Sequence, residues 1–160
     1  MPFNHFDPKG RAVMVDVSGK EPTLRTAVAE ARVALRPETL DAILDGRMTK
    51  GDVFGVARVA GIAAAKRTPE LIPLSHPVAV HHAAVEITPE PGRGEVVVTA
   101  TVRAFERTGM EMEAMVSASV AALTIYDMCK GADRSISIRE ISLLHKEGGK
   151  SGMYRKKGKE

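Results

Sequence analysis

The chain has 160 residues, 44% of them hydrophobic, and a formal net charge of +3 at pH 7, so one domain with a real core is expected. Aromatic residues make up only 4%, too few to build the stacking platforms that bind single-stranded nucleic acid. The single cysteine, Cys129, excludes an internal disulfide, and no apolar run is long enough to cross a membrane, so a cytoplasmic protein is expected.

The first predicted elements are two strands, two helices and a stiff loop. Arg11–Val17 alternates as a short strand, whereas Leu24–Leu35 fits both a strand and a helical stripe, of which we favour the strand. Pro37–Gly46 is typical of a short helix, with proline at its start and glycine at its end. Gly51–Arg67 predicts a longer helix with a face of small residues, and the prolines within 69–77 indicate a loop that is neither helix nor central strand.

The second half of the chain predicts a hairpin, a long helix and a last strand. The hairpin strands are Val78–Thr88 and Glu95–Phe105, the helix is Met110–Lys130, and the last strand is Ser135–His145. From residue 24 the order is therefore β-α-β-β-α-β, which predicts an α+β, ferredoxin-like fold with an antiparallel sheet and helices on one face. In that layout the other sheet face stays uncovered, and since an apolar uncovered face must bind a partner, we expect the subunits to associate.

No repeat or change of composition divides the chain. We expect a mobile N-terminus over residues 1–12, one ferredoxin-like catalytic domain over 13–146, and a basic, flexible tail over 147–160. Between His145 and Glu160 there are six lysines and arginines against two glutamates. Such a tail is either a solvated end or a binding element.

Two stretches place reactive side chains where a loop meets a regular element. His76 lies between Pro73 and Pro77, which fits either phosphate contact and proton transfer or a structural histidine capping a strand. Glu111 and Glu113 occupy the first turn of the long helix, where carboxylates also simply complement the helix dipole.

An aspartate and a lysine close that long helix. Asp127 and Lys130 are three positions apart and share a helix face, so they form either an ordinary ion pair or a catalytic pair. The negative end of the helix should raise the pKa of Asp127, which favours it as proton acceptor, while Lys130 stays protonated as a donor or electrostatic clamp.

Further cations flank glycines near the end of the chain and at the start of the second helix. Lys146 and Lys150 surround Gly148 and Gly149, which suits a lid over a phosphate chain, although the spacing excludes a P-loop. Lys50 lies at the start of the second helix. A metal site is not expected, since the adjacent histidines 81 and 82 point to opposite strand faces.

Several stretches in order make the whole chain recognisable. They are MVDVSGK, MTKGDVFGVARVAGIAAAKRT, LIPLSHP, TGMEMEAMVSASVAALTIYDMCKG and GGKSG. Together they resemble the cyclic pyranopterin monophosphate synthases of molybdenum cofactor biosynthesis, from about Met14 to Gly152. The resemblance implies a ferredoxin-like lyase, assembled as a hexamer (a trimer of dimers) with sites between subunits. Such an enzyme converts a cyclised dihydro-GTP into cyclic pyranopterin monophosphate and expels diphosphate.

The resemblance also implies roles for particular residues. Asp127 matches the active-site acid/base, with Lys130 beside it, and Ser75 stands where many members carry cysteine, which suggests that a thiol is not needed. No resident cofactor or metal is implied, and whether Mg²⁺ accompanies the substrate phosphates stays open. The implied substrate-binding residues are Arg25, Lys50, Leu74, Ser75, His76, Met112, Glu113 and Lys146.

An alternative from another class is a non-catalytic ferredoxin-like module that senses a nucleotide or binds RNA. RNA binding calls for aromatic residues on Glu95–Phe105, which has only Phe105. A sensor would return its nucleotide unchanged.

Glu113 and Asp127 cannot serve one compact ligand from a single chain. They are 14 positions apart on one helix, which separates them by about 21 Å along its axis. Because the resemblance nevertheless implies that both residues contact the substrate, we expect each site to combine residues of two subunits.

Overall fold

The computed structural model describes residues 6–157 as a sheet with helices packed on it. The strands are β1 (Thr23–Ala34), β2 (His82–Glu90), β3 (Glu95–Glu106), β4 (Ser137–Glu147) and β5 (Tyr154–Arg155). The helices are α1 (Pro37–Leu44), α2 (Val53–Ala65), α3 (Thr68–Leu71) and α4 (Glu111–Cys129), and a 3₁₀ turn at Pro91–Arg93 joins β2 to β3.

The strands form one sheet in the order β2-β3-β1-β4-β5, and neighbouring strands are antiparallel. The first four strands, interrupted by helices after β1 and after β3, have the ferredoxin-like order, so the predicted α+β fold is confirmed. Because β1 and β3 run antiparallel with Thr23 opposite Glu106, the start of α4 lies near the start of β1.

The core between sheet and helices is built from small aliphatic side chains. Every second residue of β1, from Ala27 to Val33, is fully buried, as expected for the face of a strand that the helices cover. The two long helices approach closely at Gly61 of α2. A Cβ there would lie 2.9 Å from the carbonyl oxygen of Ser117 in α4, so glycine allows this packing distance.

The strand prediction for Leu24–Leu35 is confirmed, but the prediction for Arg11–Val17 is wrong. Within that stretch the structure has no strand, only an isolated bridge between Phe6 and Ala12. Val15 and Val17 alternate because they line a cavity, not because they join the sheet. The expectation that the proline-rich loop excludes helix is also wrong at its start, since Thr68–Leu71 makes one helical turn. Proline in a first helical turn has no N–H to lose.

The open face of the sheet carries a network of charged pairs beside apolar side chains. Arg32 of β1 is paired there with Glu30, Glu90 and Glu95, and Arg139 of β4 also binds Glu95. Such a paired network is compatible with water and does not by itself require a partner.

Exposed apolar side chains are found on the helices, on the strands and in the loops. Val56 and Val59 of α2 and Leu123 of α4 are all about half exposed or more. Two further residues, Leu24 and Phe105, face each other across neighbouring strands at one end of the sheet and are likewise exposed.

The described ends of the chain are partly ordered by local contacts. Asp7 accepts hydrogen bonds from the backbone and side chain of Arg11, whereas residues 1–5 and 158–160 lie outside the described part. The predicted domain boundary at 146 falls within β4, and the tail beyond it includes β5, which pairs with β4. The mobility of residues 1–12 and of the tail stays a prediction. Among the described residues, no helix is long and apolar enough to cross a membrane.

Candidate active site

A first cavity of about 410 Å³ lies where the start of α4 meets the proline-rich loop. Five of the predicted substrate-binding residues line it: Leu74, Ser75, His76, Met112 and Glu113. The segment before β1 forms a further wall, and together these elements offer hydroxyl, imidazole and carboxyl groups beside apolar side chains. The remaining lining residues are Val15, Val17, Lys20, Thr108, Gly109 and Glu111.

His76 is held in place at the edge of this cavity. Its Nε2 lies 2.6 Å from the backbone carbonyl oxygen of Val15, and since a carbonyl only accepts, Nε2 carries the proton. Nδ1 of the neutral ring then remains an acceptor. The fixed histidine that the flanking prolines predict is thus present, and its bond ties the loop to the segment before β1.

Glu113 is the buried acid of the first cavity. The residue is only 2% exposed, and this burial raises the pKa of its carboxyl from 4.5 to about 7. A hydrogen bond from its own backbone N–H partly opposes the rise, and the nearby charge of Glu111 adds to it. Near neutral pH the Glu113 carboxyl is therefore divided between its protonated and ionised forms.

Lys146 reaches the same region from β4. Its Nζ donates to Oε1 of Glu111 at 2.8 Å, and Glu111 lines the first cavity. The sequence suggested only dipole complementation for Glu111, and its role as the partner of Lys146 was missed. The two residues are 35 positions apart on different elements, so the spacing of residues along one helix does not predict that they pair.

A second cavity of about 630 Å³ adjoins the start of β1 and the glycine-rich turn after β4. Arg25 lines it and is almost fully buried. Its guanidinium donates to the backbone carbonyls of Glu106, Arg107 and Gly148 at 3.1–3.2 Å. These partners are neutral, and within residues 6–157 no carboxylate forms an ion pair with Arg25. The other lining residues are Gly19, Lys20, Glu21, Thr23, Gly149, Lys150 and Ser151.

The geometry of this turn explains why residues 148 and 149 are glycines. Gly148 has φ of +99°, and a Cβ there would lie 2.1 Å from the carbonyl oxygen of Leu24. A Cβ on Gly149, whose φ is +72°, would lie 1.9 Å from Nη1 of Arg25. The turn therefore closes tightly over Arg25 only because both residues lack side chains.

A third group, which we call the lysine–aspartate cluster, consists of Lys50, Asp127 and Lys130. Nζ of Lys130 lies 2.6 Å from Oδ1 of Asp127, and Nζ of Lys50 lies 3.1 Å from its Oδ2 and 2.9 Å from its backbone carbonyl oxygen. The side chain of Asp127 is 58% exposed, so the carboxylate is not buried in an apolar run.

The predicted rise of the Asp127 pKa is wrong. The hydrogen bond from Lys130 and then that from Lys50 hold the pKa of Asp127 below its usual value. The same contact raises the pKa of Lys130, as expected for a lysine held protonated. Two ammonium groups in contact outweigh the partial charge of a helix end, because direct contact acts at much shorter range.

The structure thus divides the predicted site residues into two groups. Arg25, Lys146 and the residues of the first cavity lie near the start of α4, whereas the lysine–aspartate cluster lies at its end. Glu113 and Asp127 are separated by about 21 Å along the helix axis. A single chain does not bring the two groups together.

Asp133 is a buried carboxylate that the sequence reasoning missed. Its oxygens accept bonds from the backbone N–H of Arg36 at 2.9 Å, from Thr39, and from the backbone and side chain of Ser135. Burial alone would raise its pKa, but these bonds lower it to about 2. Asp133 thereby fixes the loop after Lys130 against the start of α1. The available signal was the Asp-x-Ser spacing, which is typical of a turn closed by an aspartate side chain.

Across residues 6–157, no group of three or more histidine, cysteine, aspartate or glutamate side chains is arranged to hold a metal ion. Cys129 is fully buried, and burial raises its pKa to about 11, which makes its thiol a packing group.

Comparison with known proteins gives a consistent result. The family model described as the MoaC family matches residues 14–149. The chain is 77% identical over 156 residues to the cyclic pyranopterin monophosphate synthase of Geotalea uraniireducens, covering 98% of both chains. It is 72% identical to the synthase of Geobacter metallireducens over 98% of both chains. The identity is still 55% to that of Pelotomaculum thermopropionicum, over 99% of this chain and 93% of the relative.

Proposed function

Because this chain belongs to the MoaC family, we propose that it is a lyase of molybdenum cofactor biosynthesis that makes cyclic pyranopterin monophosphate. Its substrate is the cyclised dihydro-GTP, 3′,8-cyclo-7,8-dihydroguanosine triphosphate, and its second product is diphosphate. The observation that carries the proposal is 77% identity to a synthase of that name over 98% of both chains. The site adds chemical support.

Cyclisation with loss of diphosphate makes definite demands on a site. A sugar hydroxyl attacks the phosphorus nearest the ribose, its proton passes to a base, and the bond from that phosphorus to the bridging oxygen breaks. Diphosphate leaves with the electron pair of that bond, so cations must stabilise the charge that develops on it. The purine must also be held while it is rearranged to a pyranopterin.

The described residues offer each of these groups. Asp127 stays ionised at neutral pH beside Lys130 and Lys50, so we assign it the proton-accepting role and the two lysines electrostatic roles. Glu113 can donate as well as accept a hydrogen bond near neutral pH. In the first cavity it lies beside further substrate-binding groups, which are Leu74, Ser75, His76 and Met112.

The cations of the second cavity suit the phosphate chain. Arg25 is buried there and, among the residues that the structure describes, donates to three backbone carbonyls, while Lys150 lies on the turn that closes over it. Lys146 of β4 brings a further ammonium group beside the first cavity, where it is paired with Glu111. We include Arg25 and Lys146 in the phosphate-binding group.

We further propose a homohexamer, a trimer of dimers, in which the lysine–aspartate cluster of one subunit completes the cavities of its neighbour. The separation of about 21 Å between Glu113 and Asp127 supports this, because one compact ring system cannot contact both within a chain. The exposed apolar residues Val56, Val59 and Leu123 provide surface for subunit contacts.

The proposed reaction needs no resident cofactor, and Mg²⁺ enters only with the substrate phosphates. We place the reaction in the cytoplasm, where the buried thiol of Cys129 stays reduced. The partner molecules are the nucleotide substrate and further copies of the chain, without nucleic acid.

The direct test supplies cyclised dihydro-GTP and measures diphosphate and pterin formation. Asp127→Asn and Lys130→Ala should each lower turnover by about 10²–10⁴-fold without changing the assembly, because each removes a proton-transfer or charge-stabilising group. Asp45→Asn and Arg47→Ala are matched controls, since each breaks an exposed ion pair between an aspartate and a cation that does not line the two cavities. Binding of the nucleotide without any turnover by the unaltered protein would favour the non-catalytic sensor instead.

Complementation tests the shared site separately. Glu113→Ala and Asp127→Asn subunits are each inactive in the proposal, but a mixed dimer would contain one site with both lesions and one with neither. Co-expressed and purified hetero-oligomers should therefore regain activity. Activity no greater than that of either parent, with mixing confirmed by mass spectrometry, would show that the site is built within one chain.

A further inference from the structure

Asp133 is a buried carboxylate three positions after Lys130, beside a cluster whose own members are exposed. It is only 1% exposed, whereas the side chains of Lys50, Asp127 and Lys130 are each about half exposed. Ion pairs between exposed side chains add little stability, because water screens them and both side chains lose rotamer freedom. The three charged groups of the cluster therefore do not fix their own positions, and the neighbouring structure must hold them.

The two carboxylate oxygens of Asp133 join two different parts of the chain. Oδ1 accepts from the backbone N–H and the hydroxyl of Ser135 at 2.8 and 2.6 Å, which closes the loop after α4. Oδ2 accepts from the backbone N–H of Arg36 at 2.9 Å and from the hydroxyl of Thr39 at 3.2 Å. Nη2 of Arg36 also donates to the carbonyl oxygen of Ala132 at 2.6 Å. The end of α4 is thereby fastened to the start of α1.

Both lysines that contact Asp127 are connected to this junction by short stretches of chain. The backbone N–H of Asp133 bonds to the carbonyl oxygen of Cys129 at 3.0 Å, so the turn that contains Lys130 is held at Asp133. Lys50 lies in the connection between α1 and α2, and its ammonium group contacts Asp127 at 3.1 Å. The end of α4 and the segment after α1 thus carry the two lysines, and Asp133 ties these elements together.

We propose that Asp133 is a positioning residue that holds Lys50 and Lys130 in place around the carboxylate of Asp127. This inference rests on the proposed function for the reaction, but the positioning itself exists without substrate. A displacement of about 1 Å at a reacting group can lower turnover by about 100-fold. The two cavities lie near the start of α4, so loss of the positioning lowers kcat and leaves KM nearly unchanged.

Asp133→Asn tests the carboxylate with little change of volume. The described contacts of both oxygens are with donors, so an amide satisfies one side and its NH₂ group meets the donors of the other. Turnover of cyclised dihydro-GTP should fall by about 10- to 100-fold, with KM within about twofold of the parent. Val98→Ala, at a fully buried position of β3, is the control, since it also lowers stability but should keep the turnover of the parent.

A milder variant covers the case in which Asp133→Asn does not fold. Thr39→Val combined with Ser135→Ala removes the two hydroxyl donors and keeps the carboxylate with its backbone donors. This double variant should lower kcat by about 3- to 10-fold, again with little change in KM. Unchanged kcat in the double variant would count against the proposal.

Amide hydrogen exchange, measured without substrate, gives a readout that does not depend on the reaction. The backbone N–H groups of residues 130–133 should exchange at least about tenfold faster in Asp133→Asn than in Val98→Ala. Those of residues 114–118, near the other end of α4, should exchange at similar rates in the two variants.

Two results would overturn the proposal. The first is turnover of Asp133→Asn equal to that of Val98→Ala, or a raised KM with unchanged kcat. The second is an equal change of exchange at both ends of α4, because Asp133 would then support the fold as a whole. Failure of the unaltered protein to release diphosphate would instead refute the proposed function, and the exchange at residues 130–133 would still decide whether Asp133 orders this end of α4.

Discussion

The buried carboxyl of Glu113 leads to a prediction about stability and pH. The residue lies in the first turn of α4, 2% exposed, and desolvation raises its pKa from 4.5 to about 7. A group whose pKa is higher in the folded state binds its proton more tightly there than in the unfolded chain. The protonated carboxyl therefore favours folding, whereas the ionised one opposes it.

The size and sign follow from these two pKa values. The contribution of Glu113 is fully present below pH 4.5 and is lost as the pH rises to and beyond about 7. At about 1.4 kcal/mol for each pH unit, this interval is worth about 3 kcal/mol. Glu113→Gln keeps a neutral side chain of similar shape at every pH, so its stability should not show this loss.

The assay is urea unfolding at a fixed subunit concentration between pH 4.5 and 8.5, with the free energy of unfolding of each variant compared with the parent. Above pH 7 the Glu113→Gln variant should be more stable than the parent, and the difference should disappear near pH 4.5. Glu38→Gln, which replaces an exposed glutamate in the first turn of α1, is the control and should follow the parent. Parallel curves for Glu113→Gln and the parent across this range would refute the reasoning.

Three further perturbations have definite expected outcomes. Gly61→Ala forces a Cβ against the carbonyl of Ser117 and should lower the free energy of unfolding by about 1–3 kcal/mol, measured by urea unfolding, without altering the far-UV spectrum. Asp133→Ala leaves the buried donors of Thr39 and Ser135 without their acceptor and should cost about 2–4 kcal/mol in the same assay. Cys129 should react with a thiol reagent only as fast as the protein opens, because its thiol is buried and has a pKa of about 11. Reaction at the rate of a free thiol would contradict the last expectation.

The regular elements were predictable because their signals are local. The alternation of Leu24–Leu35 and the glycine and proline limits of the helices follow directly from strand and helix periodicity. The same kind of alternation led to a wrong strand prediction at Arg11–Val17, where Val15 and Val17 line a cavity. Periodicity reports which side chains face an apolar surface, and it does not report whether that surface belongs to a sheet.

The open sheet face shows a second limit. The sequence reveals that Glu30 and Arg32 of β1 share a face, but the two further carboxylates that pair with Arg32 come from β2 and β3, at positions 90 and 95. Glu111 and Lys146 pair across a comparable gap in the sequence. Such partners are set by strand register and loop closure, which no local pattern encodes.

The functional stretches were easier to locate than to interpret. Sequence placed Asp127 and Lys130 on one face of the helix, and the structure shows them in contact. It did not show that Lys50 also reaches Asp127 from 77 positions away, and this second cation helps to reverse the expected direction of the pKa change. That Lys20 lines both cavities could likewise be learned only from the fold.

The two ends of α4 carry carboxyl groups whose pKa values are both shifted in the direction opposite to the one that the helix dipole alone would produce. The positive end should lower the pKa of Glu113 and the negative end should raise that of Asp127. Burial raises the first to about 7, and Lys130 and Lys50 lower the second. The dipole contributes about 0.3–1 kcal/mol, whereas desolvation and direct ion contacts are larger here. At neutral pH one carboxyl can therefore give a proton while the other accepts one, so a site that combines them across two subunits would hold an acid and a base at the same pH.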